Sequence, residues 1–155
     1  MNKPLPSVLT GRNITKRVSA LNAGGATRLD ILTGVDIEIK SGETVAILGA
    51  SGSGKSTLLG LLAGLDTPTA GDIQLIDTPL NRLDEDGRAQ LRSDHVGFIF
   101  QSFQLLPSLT AQENVMLPLE LKQDPQAHGK ALDMLQRVGL GNRLKHYPRQ
   151  LSGGE

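Results

Sequence analysis

Apolar and polar positions alternate in several early segments of the chain. Residues 35–40, VDIEIK, place valine or isoleucine at every second position with charged residues between them. This period of two predicts a β-strand with one face in water. Residues 71–76, GDIQLI, predict a further strand, and we interpret residues 8–48 as mainly β structure. Residues 16–28 are small and polar, which predicts a mobile loop within that region.

Two other segments are apolar almost throughout. They are TVAILG at 44–49 and VGFIFQ at 96–101. Continuous apolar runs of this length are typical of strands that are covered on both faces, as in a parallel sheet. The sequence therefore predicts two buried parallel strands, at 44–49 and 96–101.

Helical spacing of apolar residues marks the segments between and after these strands. Residues 55–65, KSTLLGLLAGL, repeat leucine at helical intervals, and residues 84–93 predict a short polar helix. Thr110 and Glu113 fit a capping box at the start of another helix. A later helix face is predicted from Ala131, Met134, Leu135 and Val138. We therefore predict a mixed α/β domain at 1–101 and a helical domain at 102–155.

Composition narrows the classes of function. The 155 residues carry 16 Lys+Arg and 16 Asp+Glu, so the net charge does not favour nucleic acid as a partner. The absence of cysteine excludes disulfides and suits a reducing compartment. The sequence has no apolar run of the roughly 18 residues that a membrane span needs, which predicts a soluble chain.

A glycine-rich stretch joins the first predicted parallel strand to a helix. GASGSGKS at 49–56 matches the pattern of a phosphate-binding loop, whose glycines let backbone N–H groups converge on phosphate oxygens. Lys55 would face the terminal phosphates and Ser56 would ligate Mg²⁺. A turn that only joins strand to helix is the alternative, but the strand and helix on either side favour the phosphate site. Gln101 is the last residue of the second apolar strand. Its amide either reaches Mg²⁺ or a water on the metal, or it is a solvated loop residue.

Three motifs together resemble those of the nucleotide-binding subunit of ABC transporters: GASGSGKS, FQ at 100–101 and LSGGE at 151–155. The resemblance covers nearly the whole chain. Residues 95–119 are similar to the bacterial lipoprotein-releasing and macrolide-efflux branch. The implied fold is an α/β P-loop NTPase of ABC type, with an N-terminal antiparallel β region, a helical subdomain, and the C-terminal half of the fold missing.

The resemblance also implies the ligands, the partners and the residues that contact them. ATP and Mg²⁺ are expected, with Ser56 and Gln101 near the metal. A second nucleotide-binding subunit would pair head to tail, and its ATP would contact the signature residues Ser152, Gly153 and Gly154. A transmembrane permease would bind the helical region, which places the subunit on the cytoplasmic face of the bacterial inner membrane. The residues expected to bind the nucleotide are Gly49, Ala50, Ser51, Gly52, Ser53, Gly54, Lys55, Ser56, Thr57 and Gln101.

The catalytic residues of the family are not among these 155 residues. The Walker B aspartate, the catalytic glutamate and the switch histidine follow LSGGE in the family, whereas His95, His128 and His146 precede it. We therefore expect a truncated chain without ATPase activity of its own, and a full-length subunit that hydrolyses Mg-ATP to power export. The alternatives are a fragment that binds nucleotide or permease without turnover, and a soluble ABC ATPase of DNA repair or translation, which the lack of a basic patch disfavours.

Two further expectations follow from the resemblance. The family commonly stacks adenine on an aromatic residue before the phosphate loop, but no aromatic residue precedes Phe98, so adenine is expected either to rest on an aliphatic such as Val18 or to be held loosely. In the resembled fold, strands from the missing half lie between 44–48 and 96–100. Both segments are therefore expected to be unpaired, and residues 146–155 to be disordered.

Overall fold

The computed structural model describes residues 5–22, 25–100 and 104–154. The chain divides into two compact units, Met1–Phe98 and Ile99–Glu155, beside the boundary predicted at 101. Short 3-10 turns lie at Leu80–Arg82 and Pro148–Gln150. The helices and strands are β1 (Ser7–Asn22), β2 (Gly25–Lys40), α1 (Lys55–Leu62), β3 (Ala70–Leu75), β4 (Thr78–Pro79), α2 (Glu85–His95), α3 (Ala111–Leu121) and α4 (Ala127–Arg137).

The first unit contains an antiparallel sheet with the strand order β2-β1-β3-β4. β1 and β2 form a long hairpin whose register runs from Ser7 opposite Lys40 to Asn22 opposite Gly25. The strands predicted at 35–40 and 71–76 are confirmed, although the second ends one residue earlier, at Leu75. The loop predicted at 16–28 is wrong for residues 16–22 and 25–28, which belong to the paired strands of this hairpin, and residues 23–24 lie outside the described residues.

Helix α1 packs on this sheet. Its leucines at 58, 61 and 62 are buried against residues of β1, β2 and β3. The helix ends at Leu62, before the predicted end at 65, because Gly64 adopts a φ of 71° and closes the last turn. There Leu65 N donates to Gly60 O at 2.9 Å and Gly64 N to Leu61 O at 3.0 Å. The core residues are Ile14, Leu32, Leu58, Leu61, Leu62, Ile73, Leu75 and Leu80.

The two predicted parallel strands are wrong as secondary structure. Residues 43–50 and 96–100 belong to no strand, and Gln101 lies outside the described residues. A strand exists only through hydrogen bonds to a neighbouring strand, and the described sheet ends at β2 and β4 without including either segment. Leu48 is 89% exposed, although the pattern predicts a covered strand.

The second unit contains the helices α3 and α4. The capping box at the start of α3 is confirmed, with Thr110 as its first residue. Helix α4 buries Ala131 and Leu135, whereas Met134 and Val138 of the same predicted face are exposed. The disorder expected from residue 146 is wrong for 146–151, because His146 O accepts a hydrogen bond from Ala111 N and the following residues form a 3-10 turn. No helix in the described parts of the chain has both the length and the apolar character to cross a membrane.

Candidate functional site

The glycine-rich loop curls directly into helix α1. Gly52 and Gly54 have φ angles of 79° and 87°, in the left-handed region that favours glycine. Ser53 N donates to Ala50 O at 3.2 Å, and Gly54 O accepts the first helical bond from Leu58 N at 2.8 Å. Alternation of left- and right-handed backbone conformation is the arrangement by which successive N–H groups can converge on an anion.

Close packing against β2 explains the third loop glycine. A Cβ atom on Gly54 would lie 2.9 Å from the carbonyl oxygen of Ile31 and 2.9 Å from Cδ2 of Leu32. Only glycine lets the loop approach the hairpin this closely. The sequence alone did not identify Ile31 and Leu32 as neighbours of the loop. The available signal was that these two residues form an apolar pair at the start of ILTGV, residues 31–35.

The ammonium group of Lys55 lies over the start of the loop. Its Nζ donates to the carbonyl oxygens of Gly49 at 2.9 Å and Ala50 at 2.6 Å, and lies 3.4 Å from Ser53 Oγ. Among the described residues, no carboxylate forms an ion pair with Lys55. The positive charge is therefore positioned by neutral groups and stays available to an anion.

The start of α1 adds a second source of positive potential. Its first turn contains no acidic residue, and no side chain caps it. The first N–H groups of a helix lack intrahelical partners and attract anions such as phosphate. Ser56 is exposed and Thr57 is half-buried in this turn.

The chemistry of these donors fits a phosphate ester with a magnesium ion. Within the described residues, no group of three or more histidine, aspartate or glutamate side chains could hold a metal. A hydroxyl at Ser56 together with phosphate oxygens matches the oxygen ligands that Mg²⁺ prefers. Beside this hydroxyl lies a cavity of about 320 Å³, lined by Lys55, Ser56, Ile39, Val45, Ile47, Leu59 and Leu62.

The predicted signature residues lie in the second unit. Ser152, Gly153 and Gly154 are exposed and follow the 3-10 turn. A Cβ atom on Gly154 would contact nothing within 4 Å. Their exposure is compatible with contact to another molecule.

Comparisons with known proteins agree on one family. Residues 32–155 match the family described as ABC transporter. The chain is 53% identical over 133 residues to the Escherichia coli K12 protein named uncharacterized ABC transporter ATP-binding protein YbbA, covering 84% of this chain and 58% of that protein. It is 45% identical over 154 residues to the lipoprotein-releasing system ATP-binding protein LolD of Psychrobacter arcticus, covering 97% of this chain and 66% of LolD.

A solved structure has the same fold. The dimeric ATP-binding cassette MJ0796 in a post-hydrolysis state with ADP and Pi matches with a TM-score of 0.83 and 39% identity, over 94% of this chain and 64% of that one. The chain therefore spans about three-fifths of the length of the proteins that it matches.

Proposed function

The chain belongs to the ABC transporter family, and we propose from this that it binds Mg-ATP through residues 49–57 as the ATP-binding subunit of a transporter. The observation that carries the proposal is the Lys55 ammonium, which is held 2.9 Å and 2.6 Å from two loop carbonyls, above a concave loop. Phosphate oxygens would replace these carbonyls as acceptors, and charge-assisted hydrogen bonds to anions are stronger than those to neutral oxygens.

The other loop residues complete the phosphate site. Backbone N–H groups of the loop and of the first turn of α1 hold phosphate oxygens, and the helix dipole favours their charge. Mg²⁺, when bound, neutralises phosphate charge, and Ser56 supplies its protein hydroxyl. Gln101, outside the described residues, is proposed as the second protein group near the metal.

In the whole subunit, we propose that ATP hydrolysis drives export or extraction of a substrate through a membrane permease. The naming of LolD as a lipoprotein-releasing ATP-binding protein supports this assignment. Ser152, Gly153 and Gly154 would contact the ATP of a second subunit in a head-to-tail dimer. Such a subunit would lie at the cytoplasmic face of the bacterial inner membrane, against its permease.

A second candidate is a fragment that binds nucleotide or permease without turnover. It is favoured by the phosphate loop itself, because Lys55 and Ser56 neutralise phosphate charge but position no attacking water. A fragment that binds nucleotide shares the phosphate site with the first candidate and differs from it in hydrolysis.

Nucleotide binding with matched lysine variants tests the shared site. We expect labelled Mg-ATP to bind the 155-residue polypeptide, and Lys55→Ala to weaken this binding at least about tenfold, or 1.4 kcal/mol. Lys145→Ala, which removes an exposed lysine of the helical unit, is the control and should leave the affinity unchanged. The proposed site would be contradicted if both variants lost affinity equally, or if neither variant lost affinity.

A further inference from the structure

We infer, resting on the proposed nucleotide site, that Lys16 and Arg92 are positioning residues of the phosphate loop. Both side chains hold the segment that directly follows α1, residues 64–67. Through this segment they fix the orientation of the helix that carries Lys55 and Ser56. They act through α1 and not through contact with the nucleotide.

Lys16 reaches the segment from β1. Its Nζ lies 2.6 Å from Oδ2 of Asp66 and donates to Thr67 O at 2.9 Å. The other carboxylate oxygen of Asp66 accepts from Thr67 N at 2.7 Å. The bond from Lys16 is the main cause that lowers the pKa of Asp66, so the pair is charged at neutral pH. The Lys16 side chain is only 15% exposed, which makes this a partly buried tie between β1 and the end of α1.

Arg92 reaches the same segment from α2. Its Nη1 donates to Gly64 O, and its Nη2 lies 3.0 Å from Oε1 of Glu85. Gly64 closes the last turn of α1, and the carbonyl end of a helix attracts positive charge. The guanidinium of Arg92 therefore ties the end of α1 to α2.

The two elements that carry these cations have their own anchors in the fold. β1 is hydrogen bonded on both sides, by β2 and by β3. Helix α2 packs Leu91 against the core, and the side chain of Asp84 caps its first turn. The end of α1 is therefore held by two elements whose positions do not depend on α1 alone.

Apolar packing by itself leaves the orientation of α1 loosely defined. The leucines of α1 supply burial, but the hydrophobic effect is non-directional, whereas charge-assisted hydrogen bonds have a defined geometry. The eight residues of α1 span about 12 Å, so a tilt of about 5° moves one end by about 1 Å. A binding site needs its groups within about 0.5 Å of the productive geometry. Release of the far end of α1 would therefore displace Lys55 and Ser56 while the helix stays packed.

Affinity measured beside stability tests the inference. Mg-ATP and inorganic tripolyphosphate are titrated against the 155-residue polypeptide, at a temperature where urea denaturation shows each variant to be folded. We expect Arg92→Gln to weaken the binding of both ligands by the same factor, at least about fivefold, because the whole phosphate loop is displaced. Arg92→Lys keeps a charge that can bond one of the two acceptors, so it should recover part of the affinity.

Arg88→Gln is the matched control. Arg88 also lies on α2, is 14% exposed and pairs with the same Glu85 at 2.6 Å, but its Nη1 donates to Leu83 O, ahead of α2. We expect Arg88→Gln to lower the free energy of unfolding as Arg92→Gln does. It should change the affinity for either ligand by less than about twofold.

If Arg92→Gln does not fold, Asp66→Asn gives the same comparison, because it removes the charge that pairs with Lys16 at a half-exposed position. Three results would overturn the inference and leave the proposed function standing: unchanged affinity in the test variant, an equal loss of affinity in Arg88→Gln, or a loss for ATP without a loss for tripolyphosphate. Failure of the parent polypeptide to bind either ligand overturns both.

Discussion

At the scale of single residues, the glycine that precedes α1 and a glycine inside α1 differ in whether they can be replaced by a larger residue. Gly54 precedes α1 with a φ of 87°, and an added Cβ would lie 2.9 Å from a backbone oxygen. Gly60 lies inside α1, where an added Cβ would contact nothing within 4 Å. The phosphate loop therefore depends on the first glycine, whereas the helix tolerates replacement of the second.

Alanine substitution measures this difference. We expect Gly54→Ala to lower the free energy of unfolding by more than about 1 kcal/mol, because the left-handed backbone alone costs about 1–2 kcal/mol for an L-residue. Gly60→Ala should raise it by about 0.5–1 kcal/mol through the higher helix propensity of alanine. Urea denaturation of both variants gives the two values. A neutral Gly54→Ala would show that the loop does not need its contact with β2.

At the scale of elements, helix α3 depends on its capping box. Thr110 Oγ1 accepts from Glu113 N at 3.3 Å, and Glu113 Oε2 accepts from Thr110 N at 2.7 Å. Loss of a threonine cap costs about 0.5–2 kcal/mol, so Thr110→Ala should destabilise the helical unit by that amount. Thr110→Ser keeps the hydroxyl and is the control. Circular dichroism of the helices during denaturation measures the loss of stability. Equal losses in Thr110→Ala and Thr110→Ser would assign the loss to the missing methyl group and not to the missing hydroxyl.

The same box predicts a dependence on pH. The backbone hydrogen bond from Thr110 is the main cause that lowers the pKa of Glu113. A carboxyl whose pKa is lower in the folded state stabilises that state above its unfolded pKa, and this contribution is lost as the pH falls below about 4.3. Glu113→Gln should therefore reduce the loss of stability between neutral pH and acid. If the free energies of unfolding of Glu113→Gln and of the parent changed with pH by the same amount, this role of Glu113 would be contradicted.

Elements whose sequence pattern reports their own buried face could be predicted. Strands that depend on a neighbouring strand could not. The alternation at 35–40 and the leucines at 58, 61 and 62 predict elements that the structure confirms, because each pattern reports its own buried face. The apolar runs at 44–49 and 96–101 predict strands, but a run cannot show whether a neighbouring strand is available.

The candidate site also has features that the sequence could predict and features that it could not. The spacing GxxxxGKS is enough to predict a loop that curls into a helix. The packing of Gly54 against β2 could not be predicted, because it depends on contacts between residues more than twenty positions apart. The contacts of Lys55 with Gly49 and Ala50 also depend on the folded loop.

At the scale of the whole molecule, hydrolysis requires groups beyond the phosphate loop. Phosphoryl transfer to water needs both a neutralised phosphate and a positioned water, and Lys55 with Ser56 contributes only to the first. We expect a polypeptide of these 155 residues to release phosphate from ATP no faster than buffer. A chimera that adds the remaining third of Psychrobacter arcticus LolD should hydrolyse ATP, and Lys55→Ala should abolish this. Lys55-dependent turnover by the 155 residues alone would contradict the prediction.

The last prediction concerns the segment that leads into the phosphate loop. Within the described residues, no backbone hydrogen bond involves the N–H groups of 45–48, whereas β1 is bonded on both sides, by β2 and β3. Because exchange protection follows hydrogen bonding and burial, amides 45–48 should exchange about as fast as those of an unfolded peptide. Amides of β1 near Leu9 should exchange slowest.

The chimera with LolD separates two causes of fast exchange. If 44–48 lacks only a neighbouring strand, the added LolD residues should protect amides 45–48 and leave β1 unchanged. They should also reduce aggregation, since an unpaired apolar edge such as that of Val45 and Leu48 favours it. Protection of 45–48 equal to that of β1 in the 155-residue polypeptide would mean that the segment already has its partners, and the reading of 44–48 as an incomplete strand would be wrong.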